Sequence, residues 1–175
     1  MKRILTIIIL LACAVSMSAQ ENSEVPAYRN KGYAGNVSFT DFCIILVGLD
    51  TSHGYMFNEH HYLGGGLGFY VTKNCPIGYH AFAEYKSFWF KKPSTPVAGV
   101  KVGYGGIINT VKDFHSDAFV PYGEYKVEPY IGWDWGLKSG KGLSLSLGAN
   151  ILMNNLFTEY AYAIVLPKLS IGISF

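Results

Sequence analysis

The sequence predicts an all-β protein, an eight-stranded antiparallel up-and-down β-barrel that crosses a membrane. Three observations predict it. The chain opens with an export signal, it replaces long apolar runs with short segments of two-residue alternation, and its ionisable residues collect on one face of those segments.

Met1-Lys2-Arg3 precedes an apolar run from Ile4 to Val15 and the small-residue stretch Ser16-Met17-Ser18-Ala19, which are the three regions of a secretory signal peptide. The run is shorter than the ~20 residues a helix needs to span a bilayer, so residues 1 to 19 read as a removed address with cleavage near Ala19 or Gln20. Leu10-Leu11-Ala12-Cys13 also fits a lipoprotein acylation site, but the apolar run continues past Cys13 to the second cleavage site. Removal takes Lys2 and Arg3 from 14 basic residues and leaves the 12 acidic ones matched. A neutral chain without a basic stripe is not built for nucleic acid.

Half of the chain is hydrophobic, yet no run is long enough for a transmembrane helix. Alternation takes its place. The first two strands are expected at about Tyr33 to Asp41 and Ile44 to Phe57. The third, Tyr62 to Val71, sets Leu63, Gly65, Leu67, Phe69 and Val71 against Tyr62, three glycines and Tyr70, the period of a strand. Ile77 to Phe90 and Val97 to Gly105 supply the fourth and fifth. In the sixth, Val127 to Leu137, an apolar face ending in Trp133, Trp135 and Leu137 opposes Glu128, Tyr130, Gly132 and Asp134. Leu143 to Ile151 alternates Leu, Ser and Gly, and the chain closes on Leu169, Ile171, Ile173 and Phe175 against Lys168, Ser170, Gly172 and Ser174. Eight is an even number, as closure with both termini at one end requires.

The polar turns Asn58 to His61, Lys91 to Ser94 and Lys138 to Lys141 are tight, whereas 106 to 126 and 153 to 166 are long connections. Charge placement then decides which face meets which solvent, because a soluble barrel keeps apolar residues inside and a membrane barrel reverses that order. Parity places Asp50, Glu84, Lys86, Lys101, Glu128, Asp134 and Lys168 on the polar face, so these are expected inside. Lys86 with Glu84, Lys101 with Glu128, and Lys168 with Asp50 or Asp134 are candidate pairs, since an unpaired buried ion is costly. Gly64, Gly66, Gly68, Gly132, Gly136, Gly148 and Gly172 leave room for them.

Aromatic residues mark both ends of the strands. Tyr55, Phe57, Tyr62, Phe88, Trp89, Phe90, Trp135 and Phe175 fall near one end, and Phe39, Phe42, Phe69, Tyr79 and Tyr104 near the other, as two interfacial belts would.

The terminal Leu169-Ser170-Ile171-Gly172-Ile173-Ser174-Phe175 resembles the last strand that outer-membrane assembly machinery reads. With Leu49 to Asn58 and Tyr62-Leu63-Gly64-Gly65-Gly66-Leu67-Gly68, it makes the chain similar to the small porin-like outer-membrane β-barrel proteins of Gram-negative bacteria. The resemblance implies the outer membrane of a Gram-negative bacterium as compartment and carries no catalytic residues. Residues 20 to 32 then form an N-terminal periplasmic segment and 33 to 175 the barrel, with short turns toward the periplasm and long loops outside.

Residues that could carry chemistry read differently. Asp50-Thr51-Ser52-His53 has the residue types of a Ser-His-Asp site, but parity sends His53 to the face opposite Asp50 and Ser52. His60 and His61 diverge as neighbours in a turn, and neither His80 nor His115 has a metal-site spacing. Cys43 and Cys75, the mature chain's cysteines, map near the outward ends of strands, where an oxidising envelope permits a disulfide or leaves two free thiols.

The expected role is structural or interactive, without catalysis, cofactor or metal. Partners are outer-membrane lipid, the assembly machinery, and an extracellular partner met through the 106 to 126 and 153 to 166 loops; a monomer is expected. A narrow porin-like channel is the alternative, and a secreted soluble lipid-binding barrel the second.

Overall fold

The computed structural model describes residues 30–42, 46–72, 77–108, 122–137, 139–154 and 162–175. The signal peptide, most of the 20 to 32 segment, Cys43, Cys75, and residues 109–121 and 155–161 of the two long connections lie outside the described residues.

Eight antiparallel strands close on themselves in chain order: β1 (Gly32–Phe42), β2 (Leu46–Met56), β3 (His61–Thr72), β4 (Ile77–Phe88), β5 (Ser94–Ile108), β6 (Tyr122–Gly136), β7 (Gly142–Asn154) and β8 (Tyr162–Ser174). Closure removes both sheet edges, so the backbone hydrogen bonds are made between neighbouring strands. Adjacent strands pair along most of their lengths, as in Phe39 opposite Leu49, and the seam runs from Asn36 opposite Ser174 to Phe42 opposite Lys168. Strands of 11 to 15 residues exceed the ~9–11 that a tilted strand needs to cross a bilayer.

The strands start and stop elsewhere than their alternation alone suggests. β5 runs on to Ile108 and β6 begins at Tyr122, where Tyr104 faces Tyr125 and Ile107 faces Tyr122. β7 reaches Asn154 and β8 begins at Tyr162. The long connections therefore shrink to 109–121 and 155–161, because pairing continues past the segments in which lipid enforces alternation. Pro129 has no N–H to give, and the ladder between β6 and β7 resumes at Tyr130 opposite Gly148.

Both described chain ends and the links 57–60, 89–93 and 137–141 lie at one end of the barrel, the terminal end. These turns are built locally. Asn58 Oδ1 accepts from the amides of His60 and His61 at 2.8 and 2.9 Å, and Gly140 takes a left-handed φ of 78° that favours glycine. Lys91 and Glu59 tie two of the turns together at 2.6 Å.

The interior divides in two. Near the terminal end Met56, Tyr62, Phe88 and Val97 form a small apolar cluster against Ala34. This corrects the terminal-end belt for two residues: Tyr62 and Phe88 are 3% and 6% exposed and point into the lumen, because their parity is that of the inward face. Tyr55, Phe57, Trp89, Phe90 and Phe175 remain exposed on the outer wall there, as do Phe39, Phe69 and Tyr104 at the loop end.

Candidate functional site: the charged lumen

Above the apolar cluster the lumen is filled by ionisable side chains from five strands. Asp50 of β2 sits at the centre. Its Oδ2 accepts from Lys101 of β5 and from Lys168 of β8, each at 2.8 Å. Lys168 donates also to Glu128 Oε1 of β6 at 2.6 Å, and Lys101 stands 3.7 Å from the same oxygen. Lys126 reaches the second Glu128 oxygen at 3.2 Å, and His80 of β4 places Nε2 3.2 Å from Asp50 Oδ1. All six are buried.

A second group lies beside it. Glu84 accepts from the Tyr130 hydroxyl at 2.8 Å and pairs with Lys86 at 3.3 Å, while the Lys86 ammonium rests 4.9 Å from the centre of the Tyr62 ring. Lys101 lies similarly over Phe82, at 4.8 Å. Asp134 is buried on the same face, opposite Ser144. Tyr70 donates to Glu124 at 3.2 Å.

The seven charged residues read from parity thus share the lumen, and Lys86 meets Glu84, Lys101 meets Glu128, and Lys168 meets Asp50. The second contact of Lys168, with Glu128, is not among the candidate pairs, because strand register alone does not say which side chains meet across a barrel. The sequence reading places Lys126 and Glu124 in the loop and weighs His80 only as a metal ligand, not as a member of the inward face. Lys126 and Glu124 share the parity of Glu128, and His80 that of Glu84, so the signal was present once β6 is begun at Tyr122.

Glycine makes the space. A β-carbon on Gly68 would run into Asp50 Oδ1 and the His80 ring, and one on Gly99 into the Tyr130 ring, so the bare backbone is what lets these side chains cross the lumen.

Below the ion network the lumen opens toward the terminal end. A cavity of about 40 Å³, room for a few waters, is lined by Ser38, Ser146, Ser170, Glu84, Lys101 and Glu128. A vestibule of about 370 Å³ at the mouth shares Asn36, Lys86, Phe88, Asp134 and Ser174 with it.

The outer wall is the inverse. Leu49, Leu67, Val102, Ile131, Leu147, Val165 and Leu169 are 45 to 66% exposed, with no ionised side chain among them. Such a wall is suited to hydrocarbon and such an interior to ions. The soluble lipid-binding barrel is thereby contradicted, since its cavity would be apolar and its outside polar. The fold is that of a small outer-membrane β-barrel.

Two solved structures share it. The N-terminal β-barrel domain of Pseudomonas aeruginosa OprF superposes with a TM-score of 0.59 at 13% identity, over 83% of this chain and 98% of that one. Neisserial surface protein A, NspA, does so with 0.56 at 12% identity, over 82% of this chain and 94% of that one. No protein-family model and no curated protein matches the chain.

In this barrel the Ser-His-Asp residue types do not assemble. Asp50 and Ser52 are buried in the lumen, whereas His53 lies on the outer wall, 2.5 Å from the Tyr33 hydroxyl and 3.0 Å from that of Thr51. Among the described residues no group of three or more His, Cys, Asp or Glu side chains is placed to hold a metal ion.

Proposed function

We propose that this chain is a monomeric outer-membrane protein of a Gram-negative bacterium whose barrel is a closed anchor. It carries the connections between β5 and β6 and between β7 and β8 at the cell surface as contact segments, and it performs no catalysis. The observation that carries the reading is the ion network across the lumen, in which Asp50, Lys101, Glu128 and Lys168 from four strands meet within 2.6 to 3.7 Å. An eight-stranded barrel has an interior just wide enough for side chains, and these close it. The terminal end then faces the periplasm, in keeping with its short links.

The alternating outward positions of β8, with Leu169, Ile173 and Phe175 exposed beside Ile171, support a terminal strand read by assembly machinery before closure. The lipid partner follows from the apolar wall.

A narrow channel is the second reading, and one observation favours it: the vestibule and the inner cavity share lining residues, Asn36, Lys86, Asp134 and Ser174 among them, between the terminal end and the ion network. Planar-bilayer recording separates the two. The closed anchor gives no steady single-channel current, and a stable conductance in the unaltered protein overturns it in favour of the channel. Fractionation of expressing cells with electrophoresis of boiled and unboiled samples tests the compartment, the expected result being a membrane-bound protein that migrates faster unboiled.

A further inference from the structure

Along the outward face of β1, Tyr33, Val37 and Phe39 are 65%, 38% and 52% exposed, but Gly35 between them is buried. The cause is Phe175. A β-carbon on Gly35 would meet Cε2 and Cζ of Phe175 at 2.6 and 2.8 Å, so the Phe175 ring lies directly on the Gly35 backbone. The two backbones are joined both ways, Gly35 N–H to Phe175 O at 2.8 Å and Phe175 N–H to Gly35 O at 2.9 Å. Gly35 has no left-handed φ, so its backbone conformation does not call for glycine. The ring does.

The far side of the ring meets His53 of β2 in an edge contact, with centroids 6.3 Å apart and planes at 65°. His53 is held on both nitrogens. Nδ1 is hydrogen-bonded to the Tyr33 hydroxyl at 2.5 Å and Nε2 to the Thr51 hydroxyl at 3.0 Å, and because each hydroxyl can donate or accept, either neutral tautomer satisfies both contacts. The Tyr33 and His53 rings also stack at 6.1 Å. Phe175 therefore spans from β8 over β1 to a fixed side chain of β2.

We infer that Gly35, Tyr33 and His53 form a socket for the Phe175 ring, and that this socket latches the seam between the first and last strands. The seam needs such a device. It carries seven register pairs, Asn36–Ser174 to Phe42–Lys168, where β1 and β2 carry eleven. It also joins the first and last strands, whose closure spans the longest stretch of chain and so costs the most chain entropy. Gly35, Tyr33 and His53 all belong to the β1–β2 pair, so the Phe175 ring can enter their socket only once β1 lies beside β8: it is free while the barrel is open and seated when it has closed.

The test uses the mature chain refolded from urea into detergent micelles, as Phe175→Ala, Gly35→Ala and the double variant, with amide hydrogen exchange read strand by strand. Gly35→Ala keeps the test valid if loss of the terminal aromatic impairs folding. Either single change is expected to speed exchange of the seam amides of β1 and β8 about tenfold, the scale of one aromatic contact, with β4 and β5 amides unaltered. The double variant is expected to match the singles, because both changes remove the same contact. The latch is overturned if Gly35→Ala leaves the seam unchanged, if the two effects add, or if β4 and β5 amides accelerate equally.

Discussion

Lys168 and Asp50 stand 118 residues apart in the chain and meet at 2.8 Å across the lumen, with Lys168 2% exposed and Asp50 2% exposed. Neither belongs to the other's neighbouring strand. β8 and β2 are separated by β1, so the contact exists only because the sheet has closed, and it ties closure to charge neutralisation. Each ion is too deeply buried to be left alone.

Replacing Lys168 with Met keeps the volume and removes the charge, leaving Asp50 and Glu128 short of a donor. The expected loss is about 3–5 kcal/mol, the range for one partner removed from a buried pair. Urea unfolding in detergent, followed by tryptophan fluorescence, measures it; a midpoint equal to that of the unaltered protein would show that the network contributes nothing.

A second change on the same pair separates pairing from packing. Asp50→Asn added to Lys168→Met removes the stranded anion, so the double variant should be more stable than the sum of the single losses by about 1–3 kcal/mol. Recovery stays partial, since Lys101 and His80 also face Asp50. Simple additivity in the same unfolding measurement would mean that the two side chains do not interact.

Gly68→Ala places a methyl against Asp50 Oδ1 and the His80 ring. The clash lies at the centre of the network, so a destabilisation of about 1–3 kcal/mol is expected, typical of overpacking. Gly65→Ala on the same strand points outward, with 3.4 Å to the Phe82 carbonyl oxygen as its nearest contact, and should change stability little. Equal effects of the two substitutions in thermal unfolding would contradict the inward placement of Gly68.

These residues show how far the sequence reading reached. Alternation in β7, from Leu143 to Ile151, exposed the barrel because each outward position faces the same solvent. Parity also gave the face of Asp50, Lys101 and Lys168. It gave neither height nor cross-lumen neighbours, which depend on strand stagger, so Glu128 was matched to Lys101 at 3.7 Å rather than to Lys168 at 2.6 Å. Tyr62 and Phe88 were put in the aromatic belt by their nearness to strand ends, although their parity is inward. Lys126 and Glu124 were read as loop because β6 continues beyond the bilayer-length segment that shows the clearest pattern.

Leu147 is 59% exposed near the middle of β7, beside Ile131 and Leu169 on the neighbouring strands. An arginine there would face lipid tails, at a cost of about 2–4 kcal/mol near the bilayer midplane. Folding yield into vesicles, read from the fast-migrating unboiled band, should fall. An unchanged yield would indicate that this face meets water.

The inside-out distribution is tested most directly by a nitroxide scan of β7, positions 143 to 151, in a cysteine-free protein reconstituted into lipid vesicles. Labels at the odd positions should collide with membrane-dissolved oxygen and be shielded from an aqueous nickel reagent, while labels at the even positions are reached poorly by oxygen. Oxygen accessibility peaking at Ser144, Ser146 and Gly148, or nickel accessibility peaking at Leu145 and Leu147, would contradict the account.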